Sequence, residues 1–270
     1  MPELPEVETT MRGISPYLLN KNIKAIKVRQ PQLRWPVPDE IHDAVNQRIN
    51  SVKRRGKYII ASTKVGSIIM HLGMSGSLRI MDKPFDTRKH DHVLFQLSNN
   101  KSLVYHDPRR FGSILWTNSA AEQHPLIANL GPEPLSDEFS GSYLFKASRR
   151  KKVAIKNFVM NSHIVVGVGN IYASEALFRA GIRPGKAAGR VTAASFDLLT
   201  AEIKSVLAAS IESGGTTLRD FVNSAGEPGY FQQTLNVYGR EGEPCRLCSS
   251  PIKQRTIGQR STFYCTRCQS

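Results

Sequence analysis

The chain has 270 residues, with 37 Lys and Arg against 22 Asp and Glu, a formal net charge of +15 at pH 7. That excess points to a polyanionic partner, because lysines and arginines that neutralise phosphates release counterions. The 40% hydrophobic content is ordinary for a soluble globular protein. No run approaches the ~18 apolar residues of a transmembrane helix, so no membrane association is expected and a soluble cytosolic protein is the default.

The start, MPELPEVETT, is acidic and lacks an apolar run, so it does not read as a secretory signal. A helix follows. Pro5 suits a first helical turn, Glu6 and Glu8 suit its positive end, and Val7, Met11, Ile14 and Leu18 share one face. From Ile23 to Trp116, short β-branched and aromatic runs recur: Ile23–Val28, Tyr58–Thr63, Ser67–His71, Val93–Leu97, Leu103–His106 and Ser113–Trp116. Gly, Pro, Asn and Asp punctuate them, which predicts an antiparallel sandwich or barrel.

A rigid linker is expected at Leu130-Gly131-Pro132-Glu133-Pro134, with Ser136 capping the next helix. Further helices are predicted at Ile171–Ala180, stopped by Gly181, and at about Ala193–Glu212. The stretch from Ser213 to Thr234, holding several Gly, Ser and Asn, reads equally as a loop over a ligand or as a connector.

All four cysteines lie near the end, as Cys245-Arg246-Leu247-Cys248 and Cys265-Thr266-Arg267-Cys268, with 16 residues between the pairs. Two tight-turn pairs at this spacing predict a tetrahedral site for one Zn2+. Four protein sulfurs leave no open position, so the zinc is structural, and binding it supplies folding energy that so short a hairpin lacks. Lys253, Arg255, Arg260 and Arg267 make this module a candidate DNA finger.

Pro2 follows the initiator Met. Once Met1 is removed, Pro2 carries a secondary amine. An α-amino group titrates at ~8 against ~10.4 for a lysine side chain, so more of it is uncharged at neutral pH. Such an amine attacking a sugar carbon yields an iminium directly, and Glu3 or Glu6 can move protons beside it. A Met-Pro start is common, however, and the rest of the chain gives it meaning.

PELPEVET, His71-Leu72-Gly73-Met74-Ser75-Gly76, Asp107-Pro108-Arg109-Arg110-Phe111-Gly112, Val166-Gly167-Val168-Gly169-Asn170-Ile171-Tyr172 and the four-cysteine module occur in this order over nearly the full chain. Together they resemble the bacterial formamidopyrimidine-DNA glycosylase family. The resemblance implies an α+β protein: an N-terminal antiparallel β-sandwich flanked by helices (1–131), a helix–two-turn–helix domain (132–235) and a zinc-finger β-hairpin (236–270). It also implies a bifunctional DNA glycosylase and AP lyase. Such an enzyme excises 8-oxoguanine and formamidopyrimidines from double-stranded DNA in a cleft between the domains. As a member it is expected to act as a monomer in the bacterial cytoplasm, at the nucleoid.

By the same resemblance Pro2 is the Schiff-base nucleophile and Glu3 the proton donor. Lys57 serves β-elimination, and Arg260 serves δ-elimination and phosphate contact. His90, Lys151, Lys156 and Asn170 fall at DNA-contacting positions, and the segment from about Ser213 to Gln233 closes over the flipped base. Met74, Arg109 and Phe111 match the residues that fill the void left by a flipped nucleotide. A flexible thioether, a planar guanidinium and an aromatic ring suit that task. A paralogue acting on oxidised pyrimidines and a non-catalytic zinc-ribbon DNA binder are the competing readings. Excision of 8-oxoguanine against thymine glycol separates the first, and nicking of an abasic duplex the second.

Overall fold

A computed structural model describes residues 2–215 and 235–270. They form two compact units: one holds the residues up to Asn129 with Ser213–Gly215, the other Leu130–Glu212 and 235–270. Among the described residues, no helix is long and apolar enough to cross a membrane.

The first unit begins with α1 (Leu4–Leu18). Its start is fixed by a reciprocal capping box between Glu3 and Glu6, in which the Glu3 N–H donates to Glu6 Oε2 at 2.8 Å. Val7, Ile14 and Leu18 are buried and Met11 packs beside them, the predicted face. Eight strands follow: β1 (Ile23–Val28), β2 (Ser51–Arg55), β3 (Tyr58–Ser62), β4 (Ser67–His71), β5 (Ser77–Asp82), β6 (Asp91–Leu97), β7 (Lys101–His106) and β8 (Ser113–Thr117). They pair into two four-stranded antiparallel sheets, ordered β1-β6-β7-β5 and β2-β3-β4-β8. Ile26, Phe95 and Tyr105 of the first sheet and Ile59, Ile68 and Ile114 of the second join one core with α1. This is the expected sandwich.

Two strands escape the sequence reading. Ser51-Val-Lys-Arg-Arg has a single apolar residue, and none of its five residues is buried. In β5, Arg79 breaks the apolar alternation. It is buried because its Nη2 meets Asp91 Oδ1 at 2.5 Å. A short helix, α2 (Pro125–Ala128), closes the unit.

The second unit holds α3 (Gly141–Ser148), α4 (Ile155–Val159), α5 (Asn170–Arg179) and α6 (Ala193–Glu212). The predicted cap at Ser136 is corrected: its hydroxyl closes a turn onto Glu133 O at 2.9 Å, and Ser140 caps α3, its Oγ accepting from Tyr143 N. α3 and α5 pack on α6, with Phe145 and Phe158 edge-on to Phe196. The chain ends in a hairpin of β9 (Lys253–Ile257) and β10 (Arg260–Tyr264). Its two-residue turn, Gly258-Gln259, has φ of 57° and 60°, the left-handed geometry that matches the twist of a tight hairpin and that glycine adopts freely.

Candidate active site and nucleic-acid interface

In the first unit Pro2 is buried and Glu3 is 2% exposed. Both precede the first turn of α1, and the capping box fixes the backbone of Glu3, to which Pro2 is joined. Lys57 is half-buried in the turn joining β2 to β3. Arg54 braces that turn against the helix: its Nε meets Glu8 Oε2 at 2.7 Å and its Nη1 reaches Gly56 O at 2.9 Å. Burial alone would raise the Glu8 carboxyl, but Arg54 and Arg12 hold it below the ordinary carboxylate range.

His71, at the end of β4, is neutral. Burial, and then the nearby Lys57 and Arg34 charges, bring its pKa down to about 4. Its Nδ1 accepts from the Gly73 N–H at 3.0 Å, so the proton of the neutral ring sits on Nε2. That bond starts the loop carrying Met74.

Met74 (38% exposed), Phe111 (46% exposed) and Arg109 all reach solvent. The Arg109 guanidinium lies 4.7 Å from the centre of the Phe111 ring, within cation–π range. His90 is half-buried, with His92 and His106 edge-on at 6.1 and 5.9 Å. Two open hollows share Pro108. One, of about 360 Å³, is lined by Arg29, Lys89, His90, Asp91 and Arg110 among others. The other, of about 310 Å³, is lined by Ser75, Ser77, Arg79, Arg88, His106 and Arg109. Asp91 is the one acid among both linings. Burial would raise its carboxyl, but the Arg88 N–H, His106 and Arg79 hold it below the ordinary range. With that carboxylate engaged, the hollows present mainly cationic side chains, which suit anions.

In the second unit Lys151 is exposed just beyond α3 and Arg260 is exposed at the start of β10. Asn170 opens α5, and its Nδ2 donates to Ser261 O at 3.0 Å. The structure differs from expectation at Lys156. It is fully buried, and its Nζ donates to Thr262 Oγ1 at 2.7 Å and to Ser261 O at 3.1 Å. A lysine with no exposed surface contacts the finger rather than a phosphate at the protein surface. Asn170 and Lys156 thus converge on the carbonyl next to Arg260.

The four cysteine sulfurs lie within 4.8 Å of one another. Cys245 and Cys268 are 3.9 Å apart and Cys248 and Cys265 are 3.5 Å apart, far beyond a disulfide bond length. A tetrahedron with Zn–S of ~2.3 Å has sulfur–sulfur edges of about 3.8 Å, so the donor set fits zinc. The expected segment from Ser213 to Gln233 lies outside the described residues beyond Gly215.

Sequence reasoning missed several anchoring residues. Buried Glu175 accepts from the backbone N–H groups of Asn236, Val237 and Tyr238 and from Asn236 Nδ2, tying the entry of the zinc module to α5. Its one visible signal is an acid inside the apolar run of α5. Asp91, Ser75 and Asp107 carry no role in any short-range pattern.

A capped helix start on a β-sandwich, cationic hollows, and a helical unit ending in a four-cysteine hairpin describe a zinc-finger protein built for nucleic acid. Comparison with known proteins specifies it further. Residues 1–114 match the formamidopyrimidine-DNA glycosylase N-terminal domain, 130–222 its H2TH domain, and 242–270 the zinc finger found in FPG and IleRS. The chain is 54% identical over 270 residues to the formamidopyrimidine-DNA glycosylase of Methylococcus capsulatus. It is 57% identical over 269 residues to that of Yersinia pseudotuberculosis. Both matches span the whole of both chains. The crystal structure of MutM (FPG) from Thermus thermophilus superposes with a TM-score of 0.90 at 35% identity, covering 99% of this chain and 98% of that one. A Lactococcus lactis FPG mutant, G226P, in complex with Fapy-dG-containing DNA superposes with a TM-score of 0.92 at 30% identity over all of both chains. The chain belongs to the formamidopyrimidine-DNA glycosylase family and is a DNA glycosylase of base-excision repair.

Proposed function

We propose that this enzyme removes oxidised purines, 8-oxoguanine and formamidopyrimidines, from double-stranded DNA through a Schiff base on Pro2 and then cleaves the strand as an AP lyase. The observation that carries the reading is the burial of Pro2 and Glu3 at a rigidly capped helix start. A nitrogen held there has few conformations to lose on reaching a bound sugar. Pro2 is an amide while Met1 precedes it, so removal of Met1 is a condition of the chemistry.

The Pro2 nitrogen attacks C1′ as the glycosidic bond breaks, and the base leaves with a proton supplied by Glu3. The sugar ring then opens, the C1′–O4′ bond breaking as O4′ takes the proton that the Pro2 nitrogen gives up, and the iminium so formed acidifies C2′. Lys57 assists loss of that proton and departure of the 3′ phosphate, and Arg260 assists departure of the 5′ phosphate. Water releases the enzyme. His90, Lys151 and Asn170 contact the backbone, while Lys156 supports Arg260 from behind. Met74, Arg109 and Phe111 occupy the space vacated by the flipped nucleotide, since the damaged base must leave the stack to be attacked. Residues 1–131 form the catalytic domain, 132–235 the helix–two-turn–helix domain and 236–270 the finger. The enzyme works as a monomer in the cytoplasm, at the nucleoid. Met74 set apart from Arg109 and Phe111 favours purines over the pyrimidine-acting alternative.

Borohydride trapping on an 8-oxoguanine duplex tests this. A covalent adduct is expected with the native N-terminus and little with Pro2→Gly or an N-terminally blocked protein. Undiminished trapping by the blocked protein removes Pro2 as nucleophile.

A further inference from the structure

Ser75, in the Met74 loop, and Asp107, at the start of the Arg109–Phe111 loop, are 32 residues apart in sequence, yet both loops hang from one buried carboxylate. Asp107 is 0% exposed. Its Oδ1 accepts from Ser75 Oγ at 2.7 Å, and its Oδ2 accepts from the Gly112 N–H at 2.9 Å and Tyr105 OH at 3.2 Å. Ser75 Oγ in turn accepts from the Arg109 N–H at 3.2 Å. The main chain of Asp107 reaches further: its N–H donates to His90 O at 3.1 Å, and its carbonyl is 2.7 Å from His92 Nε2.

The backbones also touch. A Cβ on Gly73 would lie 2.3 Å from Gly112 N and 2.4 Å from Phe111 C, and Gly73 has φ of +62°, so only glycine fits. Arg110, between Arg109 and Phe111, holds φ of 56°. A non-glycine residue stays in that region only where its surroundings over-determine it. The loop is therefore pinned at both ends, while Arg109 and Phe111 stay exposed.

We propose that Ser75 and Asp107 are positioning residues, a latch that sets the Met74 loop in register with the Arg109–Phe111 loop so that the three side chains enter the duplex as one wedge. The proposal rests on the void-filling reading of those three residues. A wedge that fills one vacated nucleotide requires its parts at fixed separation, and loops tethered only at their strand ends would not supply it. The Ser75 hydroxyl bonds both to the Asp107 carboxylate and to the Arg109 backbone. It donates in one direction and accepts in the other, so one group spans the gap between loops.

The test compares two substrates with each variant: excision from an 8-oxoguanine:cytosine duplex, which needs flipping, and cleavage of a preformed abasic site in a single strand, which does not. Ser75→Ala is expected to lower kcat/KM on the duplex about tenfold, the factor of one lost hydrogen bond of ordinary strength. Cleavage of the single strand is expected to change far less. Fluorescence of a 2-aminopurine beside the lesion should report slower unstacking, and Ser75→Thr, which keeps the hydroxyl, should restore it. Asp107→Asn should exceed Ser75→Ala. Should Asp107→Asn not fold, the Ser75 pair of variants decides alone. Equal loss on both substrates, or no loss on either, overturns the latch. Met74→Ala and Phe111→Ala serve as controls: if they too leave the ratio between substrates unchanged, the wedge reading itself has failed; if they shift it and Ser75→Ala does not, only the latch has.

Discussion

In the first unit, Met74, Arg109 and Phe111 stand on loops of a β-sandwich whose core draws on a helix and both sheets. In the second, Arg260 stands on a hairpin of two five-residue strands, whose core is little more than Phe178, Val237, Ile252, Phe263 and two cysteines. The sandwich holds its exposed residues by apolar burial and a buried carboxylate. The hairpin has too little apolar area for that and is held by metal and by Lys156, while Glu175 anchors the chain at Asn236–Tyr238 that leads into the module. The same end, a charged side chain presented from a fixed backbone, is reached from opposite resources. The two halves should therefore fail under different insults.

The largest expected effect comes from taking the metal away. Structural zinc in small modules is worth on the order of 10 kcal/mol, more than a hairpin of this size can replace. Chelation or Cys265→Ser should unfold residues 236–270 and remove the δ-elimination proposed for Arg260, while the sandwich keeps its own melting transition. Calorimetry with a colorimetric zinc count checks this. A single transition that shifts as a whole on chelation would show that the halves do not part in this way.

That contrast explains what the sequence reveals. The zinc site is legible because its ligands recur at short spacing, where chemistry and sequence distance coincide. α1, α5 and α6 are legible from apolar periodicity and from Gly181 and Gly214. Residues whose meaning depends on a distant partner are not. Arg79 reads as an error in a strand until Asp91 is seen beside it. Lys156 reads as one more surface cation until its contacts with Ser261 and Thr262, over a hundred residues on, show it buried. Asp107 belongs to a motif that resemblance alone picks out, and nothing local says that its carboxylate joins two loops. The roles of Pro2, Glu3 and Lys57 rest on the family, because a capped helix start and a basic turn have no chemistry visible in their spacing.

A second, smaller effect should separate the sandwich from the hairpin by pH. His71 is half-buried and neutral, with a pKa of about 4, against ~6.5 for an unfolded histidine. Between those values the unfolded chain binds the extra proton and the folded chain does not, so stability rises with pH across the window and is lost on acidification from about 6.5 towards 4. The full difference amounts to about 3 kcal/mol. His71→Asn, which keeps an acceptor for the Gly73 N–H, should flatten this part of the profile in urea titrations at stepped pH. An unchanged slope would mean that His71 does not stay neutral in the fold.

The smallest effect concerns Glu8, which meets two arginines at the same 2.7 Å. Distance alone would rank them equal; burial does not. The Arg12 side chain is 64% exposed and the Arg54 side chain 10%. An exposed helical pair is worth only ~0.3–0.5 kcal/mol and is screened by salt, so Arg12→Ala should cost no more than that and nothing in high salt. Arg54→Ala also strips a partner from Gly56 O and leaves a half-buried carboxylate short of its strongest donor, a change worth ~1–3 kcal/mol that salt does not erase. Because Arg54 braces the turn bearing Lys57, its loss should also slow β-elimination on abasic DNA, whereas Arg12→Ala should not. Equal stability losses for the two variants in low salt, or equal lyase rates, would show that the short distance rather than the burial sets the worth of each pair.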